Sequence, residues 1–131
     1  MRSRLITVLF LLALSSTAFS QIQQIPDSSA VTGVGTVFEI TNSDYINVTV
    51  ESSNNVFAYV QSFEQQVTIN IAKPAPEILS TSLTVRNLAP ETTYTLIKNG
   101  RVEEIVTDES GAYTCEVDLS LPQKMIITAK Q

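Results

Sequence analysis

The chain has 131 residues, 44% of them hydrophobic and 16% charged, a balance too apolar for a disordered tail and a length suited to one domain. Its 13 acidic and 8 basic side chains leave a net charge of −5, so the broad electropositive face that holds nucleic acid is missing. With no His, no Trp and a single Cys, it lacks the usual general base, the commonest zinc ligands and any internal disulfide.

In chain order, residues 1–20 read as a secretory signal peptide. Arg2 and Arg4 give a positive start, Leu5 to Leu14 an apolar stretch interrupted only by Thr7, and Ala18 and Ser20 small residues for cleavage before Gln21. The apolar stretch is about half of the roughly 20 residues that a bilayer core requires, and no later stretch approaches that length. The mature chain is therefore expected outside the membrane, secreted or at the cell surface, in an extracellular or periplasmic setting. Cleavage removes two arginines and no acid, which leaves the remainder still more acidic.

Residues 21–34, rich in Gln and Ser, read as a flexible leader, and residues 35–131 as a single module. Nine runs dense in Val, Ile, Thr and aromatics then follow: 36–40, 45–51, 56–61, 67–72, 79–88, 92–98, 101–107, 112–118 and 124–130. Spacing of about ten residues with turn chemistry between the runs predicts an all-β fold, an antiparallel β-sandwich of about eight or nine short strands. Asn99-Gly100 predicts a type I′ hairpin between 92–98 and 101–107, because both central positions need φ > 0. Asp108 to Gly111 predicts a second hairpin, making the last third a meander. Lys73-Pro74-Ala75-Pro76 cannot donate at its prolines and predicts a stiff crossover. The end at Lys130-Gln131, directly after a strand, reads as the N-terminal module of a longer protein.

Leu88-Ala89-Pro90-Glu91-Thr92-Thr93-Tyr94 resembles the turn before the penultimate strand of fibronectin type III and related immunoglobulin-like modules. The resemblance implies that the Tyr94 hydroxyl bonds back to the chain near Leu88 to Pro90, as a tyrosine corner does. The stretch from Gly33 to Tyr45, with the turn from Thr107 to Tyr113, resembles modules at the front of secreted prokaryotic proteins. Three strands follow Tyr94's strand start where a fibronectin module has one, and the core tryptophan of that family is missing.

Alternation places Cys115 in the core, as a structural thiol. Asp108, Glu109 and Asp118 lack the spacing of a calcium loop, and no cofactor or metal is expected. Asn47-Val48-Thr49 is a glycosylation sequon on a solvent face. Phe57, Tyr59 and Phe63 are the candidate binding residues. Val56, Ala58 and Val60 occupy one face of their strand while Phe57 and Tyr59 occupy the other, so the aromatics either pack inward or form an exposed stacking platform. Catalysis finds no constellation: the lysines sit at strand ends, and Glu103 and Glu104 point to opposite faces. Two expectations remain for this non-enzymatic chain. One is a structural or interaction module that meets an extracellular protein or glycan surface; the other is a carbohydrate-binding module that uses the aromatic face. Only the second requires the rings in solvent.

Overall fold

The computed structural model describes residues 21–25, 29–41 and 43–130; the expected signal peptide lies outside the described residues. Nine strands run through them: β1 (Gln21–Ile25), β2 (Ala30–Ile40), β3 (Val48–Ser62), β4 (Gln66–Ala72), β5 (Ser80–Arg86), β6 (Thr93–Lys98), β7 (Arg101–Val106), β8 (Tyr113–Asp118) and β9 (Gln123–Ala129). All their pairings are antiparallel, and the described residues contain no helix.

The sheet is organised by β3. One edge of β3 pairs with β2 from Ala30↔Gln61 to Ile40↔Val48. The other edge has two partners, β5 beside Thr49 to Ser52 and β4 beside Phe57 to Ser62. The sheet therefore forks. One arm continues as β4-β9-β6-β7 and the other ends as β5-β8. Both arms curl over a common core, so the sheet is nearly barrel-shaped.

The fork has a local cause. Pairing steps from Val37↔Glu51 to Gly35↔Val56, so Ser52 to Asn55 of β3 stand opposite Thr36 alone, a bulge of the kind that bends a strand sharply. Thr81 holds this bend: its Oγ1 accepts from the Asn54 amide at 3.1 Å and lies 2.5 Å from Ser52 Oγ. Asn54 Nδ2 reaches the Ser80 carbonyl at 2.8 Å, and the Ser82 amide donates to Ser53 Oγ at 2.9 Å, so side chains replace the missing strand partner of β5. On β2 the irregularity shifts the buried set from Val31 to Phe38 and Ile40, while on β3 the even-numbered residues are buried on both sides of the bend and only Asn54, within it, is exposed.

Several expectations are corrected here. The supposed leader contains β1 and the first half of β2, paired from Gln21↔Val34 to Ile25↔Ala30. Runs 45–51 and 56–61 belong to one bent strand rather than two. The last third is not a meander: β8 leaves β7 to pair with β5, and β9 inserts between β4 and β6. The Asn99-Gly100 hairpin forms as predicted, with φ of 52° and 86° and register Lys98↔Arg101. Lys73 to Pro76 carries the chain from the β4 arm to the β5 arm.

Fully buried Phe38, Ile69, Leu83, Leu96, Val117 and Met125, one from each of six strands, tie the two arms together. Each such side chain contributes about 1.5 to 3 kcal/mol by leaving water. Cys115 is half-buried against this core, and burial pushes its thiol pKa up, the opposite of an activated nucleophile.

Candidate functional site

Because Val56, Ala58, Val60 and Ser62 of β3 are buried, Phe57 and Tyr59 point out. Phe57 is 47% exposed and Tyr59 half-buried, so of the two arrangements left open by the alternation the outward one is found. The neighbours that flank Phe57 across the strands, Val34 and Ala72, are too small to cover its ring. Tyr59 lies between Thr32 and Asn70, and its hydroxyl is 3.4 Å from Gln61 Oε1.

Phe57 also walls a cleft of about 280 Å³ at this end of the sheet, lined by Asn70, Ile71, Ala72, Asn99, Pro122, Gln123 and Lys124. Three elements build it. The β4–β9 pairing sets Asn70 opposite Lys124 and Ile71 opposite Gln123. The hairpin tip docks on β9 through Asn99: its amide donates to the Lys124 carbonyl at 3.0 Å, and its Oδ1 accepts from the Lys124 amide at 2.9 Å. Asn99 Nδ2 also hydrogen-bonds Gln123 Oε1. The lining thus joins apolar Phe57, Ile71, Ala72 and Pro122 to three side-chain amides and one ammonium, which suits a small polar ring rather than an acid–base reaction.

Phe63 does not join this group. It sits in the β3–β4 turn, where its amide donates to the Gln66 carbonyl at 2.8 Å, six residues or about 20 Å along β3 from Phe57. Asn70, Asn99, Gln123 and Lys124 were not reached as site residues from the sequence. Their proximity depends on β9 entering between β4 and β6, which no local pattern signals.

The other singled-out residues have mainly architectural surroundings. The Ala89 amide donates to the Tyr94 hydroxyl at 2.9 Å, the back-bond expected of a corner tyrosine, although Tyr94 is half-buried rather than buried. Pro90 is exposed, and its carbonyl accepts from Thr92 Oγ1 at 2.7 Å. Asp108 Oδ1 accepts from the Ser110 and Ala112 amides and from Ser110 Oγ, which holds its carboxyl below the usual range and commits that oxygen to the turn. Asn47 is exposed, with its Oδ1 accepting from the Ser43 amide at 3.0 Å.

No protein-family model, curated protein or solved structure matches this chain.

Proposed function

We propose that this chain is a secreted, non-catalytic β-sandwich module that binds an extracellular glycan through the outer face of β3 and the adjoining cleft. The observation that carries the reading is the exposure of Phe57 beside a cleft rimmed by amides. A flat ring with an apolar face and a nearby set of hydrogen-bonding groups is what a pyranose needs, since one side of the sugar is C–H surface and its edge is hydroxyls. Such a role also fits the signal peptide read from residues 1–20 and the resemblance of the Tyr94 turn to immunoglobulin-like surface modules. No residue set in the cleft supports a reaction: it holds neither a carboxylate pair nor a nucleophile with a base.

The test is protein beginning at Gln21 on an array of extracellular glycans, alongside Phe57→Ala and Tyr59→Ala. Glycan binding that disappears in Phe57→Ala supports the reading. Binding that survives both substitutions removes this face as the site. Capture of no glycan returns the chain to the broader class of structural or protein-contact modules.

A further inference from the structure

The binding reading leaves the ligand class open, and the charge around the cleft narrows it. The chain as a whole is acidic, yet Lys124 is the single charged residue lining the cleft. Its ammonium has no ion-pair or hydrogen-bond partner among the described residues; the two salt bridges, Arg86 to Glu51 and Lys130 to Glu104, lie elsewhere. Asn70, its cross-strand neighbour, likewise has an uncommitted side-chain amide, whereas the Asn99 and Gln123 side chains are spent on each other and on backbone.

The spacing is suitable. Lys124 on β9 is separated from Phe57 on β3 by β4 alone, but Phe57 pairs with Ala72 and Lys124 with Asn70, so two inter-strand steps and a two-residue offset, about 12 Å in all, divide the two strand positions. A pyranose stacked on Phe57 fills the near half of that span, and the extended lysine side chain reaches back across the rest. A group that meets Lys124 there is anionic, since a neutral hydroxyl gains little from a freely solvated ammonium while a carboxylate or sulfate gains a charge-assisted hydrogen bond. The recess on the other side of Asn99 adds Lys98 and Arg101, with Glu103 as its one acid.

We propose that the Phe57 cleft takes an anionic sugar ring, stacked on Phe57 and paired through its carboxylate or sulfate with Lys124, with Asn70 hydrogen-bonding a ring hydroxyl. This rests on the glycan-binding reading and adds the charge of the ligand to it. Phe57 and Lys124 are surface-exposed, so their replacement leaves the core untouched.

Titration calorimetry separates the two levels of the argument, using trimers of galacturonate, sulfated galactose and unmodified galactose together with the best ligand from a glycan array. The expected result is binding of a carboxylated or sulfated sugar at least about tenfold tighter than its neutral counterpart. Lys124→Gln should erase that preference, Phe57→Ala should abolish binding of every sugar, and added salt should narrow the preference in the parent protein. Comparing the carboxylated with the sulfated sugar identifies the acid. Neutral and acidic sugars bound equally well, with Lys124→Gln silent and Phe57→Ala still destructive, would overturn the charge assignment and leave the glycan module standing. Failure of the parent protein to bind any sugar on the array or in the calorimeter overturns both.

Discussion

Gly111 and Leu88 approach so closely that a β-carbon on Gly111 would stand 2.1 Å from the Leu88 carbonyl oxygen. The contact is part of a clasp between the loop after β5 and the loop after β7. The Leu88 amide donates to the Gly111 carbonyl at 3.1 Å, the Glu91 amide to the Asp108 carbonyl at 3.0 Å, and the Thr92 amide to Thr107 Oγ1 at 2.9 Å. Buried Thr107 in turn donates to the Ala89 carbonyl at 2.6 Å. The far ends of the two arms are joined at these loops, because β7 and β8 do not pair.

This pair gives a contrast between two glycines of similar backbone angle. Gly111 has φ of 81° and no room, while Gly100 has φ of 86° and open space around it. Gly111→Ala is expected to cost about 3 kcal/mol, combining left-handed strain with a backbone collision. Gly100→Ala is expected to cost about 1 kcal/mol from the strain alone. Urea denaturation of the two variants checks this, and equal losses would contradict the clasp.

The Tyr94 back-bond gives a second expectation. Removing the hydroxyl in Tyr94→Phe leaves the Ala89 amide without its acceptor, but the site is half-exposed and water takes part of the role, so the loss is about 1 kcal/mol. Tyr94→Ala also removes the ring that packs against the core and is expected to cost about 2 to 4 kcal/mol. Chemical denaturation of both variants measures the difference. A phenylalanine variant as stable as the parent would strip the hydroxyl of any role.

At the fork of the sheet, Thr81 is buried and its Oγ1 serves the Asn54 amide and the Ser52 and Ser53 hydroxyls. Thr81→Val keeps the shape and removes the oxygen, and the orphaned polar groups should cost about 1 to 3 kcal/mol. Thr81→Ser retains the oxygen and should recover most of that, leaving only the loss of a methyl. Thermal unfolding of the pair checks the order. A valine variant more stable than the serine one would make Thr81 a packing residue.

What could be read from the sequence divides by range. The Asn99-Gly100 hairpin depends on two residues with φ > 0, and the all-β class on alternation within each run, so both were legible locally. The route of β9 between β4 and β6 depends on which arm offers a free edge, and nothing within Gln123 to Ala129 encodes that. The outward turn of Phe57 illustrates the same limit. Both faces of its strand are apolar, and the side that faces in is set by Val48 and Val50 on the far side of the Ser52–Asn55 bend, which spans an even step and keeps their parity. The cleft, assembled from β3, β4, β9 and the β6–β7 hairpin tip, inherits every one of these long-range choices.

Asp108 makes the clasp depend on acidity. Amides of Ala112 and Ser110 and the Ser110 hydroxyl stabilise its carboxylate, with Arg86 adding a weaker attraction, so its pKa is lower in the folded chain than in the unfolded one. A depressed carboxylate contributes stability that is present above its unfolded pKa, near 4, and is lost as pH falls through the folded value. At neutral pH, Asp108→Asn is therefore expected to be less stable than the parent, because the charge-assisted hydrogen bonds weaken while the side-chain shape persists. As the pH falls from about 4 through the lower value of the folded carboxyl, that contribution is lost and the two proteins should converge. Urea midpoints of both proteins between pH 7 and pH 2.5 measure this directly. A gap that stays constant across that range would mean that the turn is held by backbone geometry alone, without a contribution from the Asp108 charge.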